Sequence, residues 1–247
     1  MIDMSSLYEH SDYSSALANF EISNCKWSSF ESVHRKVSKD KCPICQCDFT
    51  KILERDSHKG KTEITATIDH YRPQKYYSFL SCEDKNYILM CSECNNIYKG
   101  SLFPLYHSTN KAICKEELSN EKPLIVNPIV DNPLDLFILV FNRSSSGNNL
   151  LELHPKEESG YLYEKAKETI KVFGLGNCEI NRHKNENVFQ CRITLLKTHF
   201  GIFNDLVTAL MSKDKKAFRD AMENKELFES YGFYEFIKRK QFKINTI

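Results

Sequence analysis

Two pairs of cysteines place the strongest constraint on this chain. Cys42 and Cys45 are separated by two residues, and so are Cys91 and Cys94. Each CxxC turn supplies two thiolates, and two such turns complete the tetrahedral site of a structural zinc ion. The 45 residues between the turns exceed the gap of a compact zinc ribbon. The sequence therefore predicts an inserted segment that folds back so that the two turns meet.

The other cysteines do not share this spacing. The stretch "CPICQC" offers a third thiol, Cys47, which could replace Cys45 as a ligand. Four buried free thiols are the alternative to zinc, but two correctly spaced pairs favour the metal. Because four thiolates close the coordination sphere, this zinc is expected to be structural, and catalysis needs a second ion. The remaining cysteines are expected to be small buried or surface residues: Cys25, Cys82, Cys114, Cys178 and Cys191.

Composition narrows the class of protein. Of the 247 residues, 41% are hydrophobic and 27% are charged, which suits a packed core, and the net charge is only +1. A self-sufficient nucleic-acid binder usually has a basic excess, so binding here would need a local patch or a partner. The N-terminal residues do not resemble a signal peptide. The longest apolar run, "LFILVF", is far shorter than the roughly 20 residues of a membrane helix. We expect a soluble, cytoplasmic bacterial protein without membrane contact.

Residue patterning predicts an α+β fold. Residues 62–70, "TEITATIDH", and 86–90, "NYILM", have the β-branched and apolar character of strands. The stretch "CSECNN" begins a short helix that Gly100 ends. "LFILVFN" and "LLELH" predict a hairpin across the polar turn "SSSGNN". The first half should thus contain a strand–strand–helix unit, followed by a small hairpin.

Apolar periodicity predicts a mostly helical C-terminal half. One helix runs from Leu162 to Phe173 and is stopped by Gly174, and a longer core helix carries the apolar stripe from Phe189 to Leu210. Further short helices are expected near Phe218 and Phe236, and "IKRKQFK", 237–243, is expected to be a solvated terminal helix. The predicted organisation is a helical segment 1–41, a zinc-bound core 42–105, and a C-terminal region 106–247 that packs with the core and docks a partner.

The candidate chemistry lies in the insert. Asp69 and His70 end the first predicted strand, and Asn95 and Asn96 begin the helix. A strand–strand–helix unit brings these two places together, so that a carboxylate and an amide oxygen can share one Mg²⁺ or Mn²⁺ ion. Histidine titrates near neutral pH and can take a proton from water. Lys99, on the same helix, is a candidate phosphate contact.

Each of these residues also has an ordinary interpretation. An Asp–His pair at a strand end is usually a surface hydrogen-bonded pair, and Asn86 alone would be a turn residue. Asn95 and Asn96 alone would be helix caps. The two zinc turns that frame the Asp–His pair favour the catalytic interpretation.

The stretches "CPIC", "DHYRP", "CSECNN" and "KG" resemble the zinc-containing HNH endonucleases, which have a ββα-metal fold. The resemblance implies that Asp69 is a metal ligand and His70 the general base. It implies that Asn86 holds the loop that carries the base, and that Asn95 is the second metal ligand. These four residues are the predicted catalytic set.

One spacing departs from that family. Its lysine follows the second ligand by three residues, whereas Lys99 follows Asn95 by four and Asn96 by three. The second ligand is therefore Asn95 or Asn96. We favour Asn95, because the family's ligand directly follows the second cysteine of the turn.

Beyond this motif, "DHYRPQ", "KGSLFPL", "EKPLIVNPIVDNP" and "TIKVFGLGNCEINRHK" resemble PtuB-type nucleases of Septu and retron-associated anti-phage systems. The resemblance implies a PtuA-type ABC ATPase partner, and in retron systems a reverse transcriptase with its DNA. The implied substrate is DNA, or tRNA in retron-linked members. A site that contacts backbone phosphates does not separate these two. The competing hypothesis is a non-catalytic zinc module that binds nucleic acid or protein.

Overall fold

The computed structural model describes residues 1–22, 24–50, 54–57, 60–143, 150–176, 194–224 and 231–246. These residues form an α+β protein of small sheets and several helices, which confirms the predicted fold class at this level. The chain forms two compact units, Met1–Pro133 and Leu134–Ile247. This division differs from the predicted segments, because residues 106–133 belong to the first unit together with the cysteine turns.

The described residues of the first unit form two α-helices, two antiparallel strand pairs and one π-helix. In chain order they are α1 (Tyr13–Ile22), α2 (Glu31–Val37), β1 (Glu54–Ser57), β2 (Gly60–Glu63), β3 (Ala66–His70), β4 (Tyr87–Cys91) and the π-helix (Glu93–Lys99). Strand β1 pairs with β2, and β3 pairs with β4. Short 3-10 turns occupy Leu7–Glu9, Trp27–Phe30, Ser78–Leu80, Asp84–Asn86 and Glu116–Asn120.

Strand β4 is the buried centre of the first unit. All five of its residues, "YILMC", are buried, as expected for an uninterrupted apolar run covered on both faces. The rings of Phe20 and Phe30 lie 5.6 and 5.8 Å from that of Tyr87. In the antiparallel register, Asp69 lies opposite Ile88 and His70 lies opposite Tyr87. The Asp–His pair is thus paired with a strand whose residues are all buried.

The predicted order of strand, strand and helix over residues 62–101 is confirmed, but the first strand is shorter than predicted. The segment 62–70 is not one strand: β2 ends at Glu63 and β3 begins at Ala66. Between them, the carbonyl of Thr65 accepts a hydrogen bond from the amide of Ser92 at 2.8 Å. The chain changes partner at this point, from β1 to β4, which strand propensity alone does not reveal.

The second unit combines a three-stranded sheet with helices. Its elements are α3 (Pro133–Leu136, beginning at the unit boundary), β5 (Phe137–Arg143), β6 (Leu150–Pro155), α4 (Gly160–Phe173), α5 (Thr194–Met211), α6 (Lys215–Met222), α7 (Tyr231–Lys238) and β7 (Phe242–Thr246). The predicted β5–β6 hairpin is confirmed. The predicted end of α4 is also confirmed, since the helix stops before Gly174, whose backbone is left-handed with φ 61°.

The predicted long helix is confirmed from Thr194 to Met211, but Leu210, the last residue of the predicted apolar stripe, is 37% exposed. Helix α5 carries buried Leu206, Val207 and Ala209 on one side. Phe189 and Ile193, which begin the predicted stripe, lie outside the described residues. Among the described residues, no helix has the length and hydropathy needed to cross a bilayer.

The predicted terminal helix over 237–243 is wrong in its second half. Helix α7 ends at Lys238, and β7 adds to β5 as a parallel strand. The side-chain amide of Gln241 donates to the carbonyl of Phe137 at 2.7 Å, which fixes the strand entry. The basic residues concealed the alternation in "FKINT" that suits a strand.

The expectation that Cys25 and Cys82 are isolated residues is also wrong. The structure joins them in a disulfide across a sequence separation of 57 residues. The bond links the loop after α1 to the loop between β3 and β4, next to Ser81.

We predict that replacing both cysteines, C25S/C82S, lowers the free energy of unfolding by about 2–4 kcal/mol, because the closed loop is long. Fluorescence of Trp27, the only tryptophan, would follow urea unfolding without reductant and with zinc present. Cys114→Ser, at a free cysteine, is the control and should have no such effect. With a phosphine reductant, the double variant and the unaltered protein should have the same free energy of unfolding. Equal free energies without reductant would show that Cys25 and Cys82 are not bonded.

His34 makes the first unit sensitive to acid. Its side chain is buried beside Phe30, and burial lowers the pKa of His34 to about 3. Below the ordinary histidine pKa of about 6.5, His34 binds a proton in the unfolded chain but not in the folded one, so the free energy of unfolding falls as the pH falls.

We predict that His34→Leu reduces the loss of unfolding free energy between pH 7 and pH 5 by about 2 kcal/mol. Urea titrations at both pH values would measure this, with His107→Asn on the surface as control; unchanged pH dependence would contradict the role of His34.

Candidate metal centre and the Asp69–His70 pair

The two cysteine turns meet in the structure. The Sγ atoms of Cys42, Cys45, Cys91 and Cys94 lie within 4.8 Å of one another, and all four residues are buried. Cys42 Sγ lies 3.8 Å from Cys94 Sγ, and Cys45 Sγ lies 3.7 Å from Cys91 Sγ. A tetrahedron with zinc–sulfur bonds of about 2.3 Å has sulfur–sulfur edges of about 3.8 Å. The cluster therefore fits a structural zinc site.

Backbone and thiol contacts prepare the cluster for a metal. The amides of Cys91 and Cys94 each donate to a cluster sulfur at 3.3 Å. Neighbouring thiols, that of Cys42 first, hold the pKa of Cys45 well below its usual range, whereas burial, together with neighbouring thiols, raises the pKa of Cys94. Thiolate is the form that binds zinc. Cys47 lies close to these thiols but outside the group of four.

We predict that Cys45→Ser lowers zinc content from about one ion per chain and destabilises the fold, because a structural zinc site needs all four ligands. Cys47→Ser is the matched control and should keep full zinc content. Elemental analysis of the purified proteins would measure both. Zinc loss in the Cys47 variant, with retention in the Cys45 variant, would reverse the ligand assignment.

Asn95 lies against the strand that ends in the Asp–His pair. Its amide Nδ2 donates to Thr67 Oγ1 at 3.2 Å, and the Thr67 hydroxyl donates to the carbonyl of Met90 at 3.0 Å. Because that hydroxyl proton is donated to Met90, the hydroxyl oxygen must accept from the Asn95 NH₂ group, and Asn95 Oδ1 accepts no hydrogen bond from the described residues. Thr67 and Asp69 are two residues apart on one face of β3. Asn96 is exposed.

Lys99 differs from the prediction. It does not present its charge to solvent as a phosphate contact: its side chain has 0% exposure, and Nζ lies 2.6 Å from Asp69 Oδ2. Nζ also donates to the carbonyl of His70 at 2.9 Å. Asp69 itself is only 15% exposed. The ammonium thus joins the side chain of one predicted site residue to the backbone of the next.

The π-helix explains the unusual spacing of Lys99. The amide of Gly100 donates to the carbonyl of Asn95 at 2.7 Å, a bond between residues five apart. A π-helical turn is a helical turn with one extra residue. The additional residue between Asn95 and Lys99 is therefore absorbed within one turn, and both side chains reach β3.

Asn86 is bound to the loop that follows His70. The backbone amide of Arg72 donates to Asn86 Oδ1 at 2.8 Å, and Asn86 Nδ2 donates to the Arg72 carbonyl at 3.1 Å. The amide of Tyr71 donates to the Asn86 carbonyl at 2.7 Å. Buried Asn86 therefore ties both residues after His70 to the start of β4.

The His70 ring is held on one side. Its Nε2 lies 3.3 Å from the carbonyl of Ser81, and its ring centroid lies 4.8 Å from that of Tyr87. Tyr87 Oη donates to the same carbonyl. A carbonyl oxygen only accepts, so this contact assigns the proton to Nε2 and leaves Nδ1 as the acceptor.

Sequence reasoning missed the supporting residues: Thr67, Ser81, Tyr87 and the buried role of Lys99. The alternation of Thr67 with Asp69 along β3 was the one available signal. Ser81 acts through its backbone, which no side-chain pattern reveals.

Comparison with known proteins adds one relative. The chain is 24% identical over 169 residues to the Septu protein PtuB of Bacillus mycoides (strain KBAB4). The match covers 63% of this chain and 50% of that protein, so the chain spans about half the length of this relative. No family model matches the chain, and no solved structure matches it. The similarity supports the PtuB resemblance drawn from the sequence motifs.

Proposed function

We propose that this chain is a metal-dependent HNH endonuclease that hydrolyses phosphodiester bonds in nucleic acid, with DNA favoured. The observation that supports the proposal is that the π-helix after the cysteine cluster contacts β3 at two places, Asn95 at Thr67 and Lys99 at Asp69, next to His70. A structural zinc ion held by the four cysteines would fix the end of β4 to the start of the π-helix.

The oxygen donors suit a hard divalent cation. Within the described part of the chain, neither Asp69 Oδ1 nor Asn95 Oδ1 is hydrogen-bonded, and the Asn95 amide nitrogen faces Thr67. Carboxylate and amide oxygens are ligands of Mg²⁺ and Mn²⁺, which keep several waters of their own. We assign Asp69 and Asn95 as the protein ligands, and not exposed Asn96. When bound, the ion would stabilise negative charge on the departing oxygen.

His70 would act as the general base. Its Nδ1 accepts a proton from water while the Ser81 carbonyl holds the Nε2 proton. The water oxygen forms a bond to phosphorus, the bond to the leaving oxygen breaks, and that oxygen takes a proton from solvent. Asn86, through its bonds to Arg72, would keep the backbone after His70 from shifting.

The biological setting follows from the PtuB similarity. We propose that the chain serves as the effector of an anti-phage defence complex with a PtuA-type ABC ATPase. That partner would supply nucleic-acid binding that a net charge of +1 does not. Cleavage of tRNA by the same site, in a retron-linked complex with a reverse transcriptase, is the alternative substrate proposal.

We predict that His70→Ala lowers the cleavage rate about 10²–10⁴-fold, because it removes the proton acceptor, while zinc content and thermal stability are kept. The assay would incubate the chain, alone and co-purified with a PtuA-type ATPase, with Mg²⁺ and either plasmid DNA or total tRNA. Full cleavage by the variant would refute the assignment. Cleavage of neither nucleic acid by the unaltered protein would favour a non-catalytic zinc module.

The two asparagines provide a matched comparison. We predict that Asn95→Ala loses cleavage and that Asn96→Ala keeps it, since only Asn95 contacts Thr67 on β3. Mn²⁺ titrations of the cleavage rate would measure both variants. Loss of activity in the Asn96 variant alone would transfer the ligand role to that residue.

A further inference from the structure

The Lys99–Asp69 ion pair lies inside the proposed cation site. Buried ammonium groups are rare unless they are paired, and Lys99 is fully buried with two oxygen partners, Asp69 Oδ2 and the His70 carbonyl. Asp69 is the only carboxylate among the proposed ligands. Its negative charge is therefore balanced before any cation arrives.

We propose that Lys99 is the internal counter-ion of Asp69 and makes binding of the divalent cation depend on a phosphate of the nucleic-acid substrate. The proposal rests on the proposed nuclease function and adds an order of assembly to it. With Lys99 in place, the protein offers the cation a site of no net charge. A phosphodiester adds the missing negative charge, so cation and substrate each strengthen the binding of the other.

Geometry supports this coupling. A cation on Asp69 Oδ1 lies near the ammonium on Oδ2, since both oxygens belong to one carboxyl group. That separation is shorter than the Debye length of about 8 Å, so salt does not screen the repulsion. Arg72, three residues after Asp69, is paired with Glu121 at 3.0 Å, and its guanidinium lies 5.6 Å from the centroid of the Phe103 ring.

The π-helix positions the Lys99 ammonium. The amide of Gly100 donates a hydrogen bond to the carbonyl of Asn95, five residues earlier, and this wider turn keeps Asn95 and Lys99 on one side of the helix. Lys99 also holds the His70 carbonyl, so the same side chain positions the proposed base. Lys99 is thus a positioning residue and not a catalytic one.

The test measures Mn²⁺ affinity rather than cleavage. The His70→Ala protein, which should cleave at least about 100-fold more slowly than the unaltered protein, would be titrated with Mn²⁺ by electron paramagnetic resonance, alone and co-purified with a PtuA-type ATPase. Each form would be measured without nucleic acid and with a short DNA duplex or total tRNA. We expect nucleic acid to raise Mn²⁺ affinity about tenfold or more, within the usual range of coupled binding. Equal Mn²⁺ affinity with and without either nucleic acid, in the complex with the ATPase as well as in the chain alone, overturns the proposal without any Lys99 variant.

Lys99 variants in the same background supply the second arm. Lys99→Met should raise Mn²⁺ affinity of the free protein about tenfold and reduce the effect of nucleic acid below about threefold. Lys99→Gln, which keeps a donor, serves if the methionine variant loses zinc or unfolds. The double variant D69N/K99M should bind Mn²⁺ weakly, which separates ligand loss from a general structural effect.

The outcomes separate the two proposals. If neither Lys99 variant binds Mn²⁺ more tightly than its parent, the counter-ion role is wrong even where the unaltered protein cleaves nucleic acid. If the unaltered protein cleaves neither DNA nor tRNA, the nuclease function is wrong, whatever the Mn²⁺ titrations give.

Discussion

The meeting of four cysteine sulfurs is the constraint on which the rest of the candidate site depends. Cys91 ends β4 and Cys94 lies in the first turn of the π-helix, so the cluster sets the angle between strand and helix. Cys42 and Cys45 lie far away in sequence and anchor the N-terminal part of the chain at the same point. The energy of a structural zinc site, about 10–16 kcal/mol in small zinc modules, is comparable to the stability of a whole domain. The π-helix is therefore held against β3, where Asn95 contacts Thr67 and Lys99 contacts Asp69.

Polar contacts near the cysteine cluster fix the orientation of the candidate site residues. Thr67 orients the Asn95 amide, the Ser81 carbonyl selects the His70 tautomer, and Asn86 holds the following loop. These contacts use backbone groups or uncharged side chains, so they fix geometry without adding charge. Lys99 is the exception, because its ammonium offsets the carboxylate of Asp69. The proposed consequence is a protein that holds its catalytic cation weakly until nucleic acid is present.

Sequence reasoning predicted what local spacing encodes. Two CxxC turns gave the cluster, and alternation and apolar runs gave β3, β4, the β5–β6 hairpin, α4 and α5. Sequence reasoning failed where contacts between residues far apart in the chain determine the structure. Nothing local marks the Cys25–Cys82 bond or the parallel addition of β7 to β5. The sequence shows that Lys99 departs from the spacing of the HNH family, but the cause of that departure is a π-helical hydrogen bond, which depends on helix geometry. The roles of the candidate site residues stay predictions.

The central claim is that one cysteine cluster supports a second, oxygen-ligated metal site at Asp69 and Asn95. Crystals of the zinc-loaded His70→Ala protein with bound nucleic acid, soaked in Mn²⁺, would test it through anomalous scattering at the zinc and manganese edges. The account predicts a zinc peak among the four sulfurs and a manganese peak about 2 Å from oxygens of Asp69 and Asn95. A manganese peak at Asn96, or no manganese near Asp69 in the presence of nucleic acid, would contradict it.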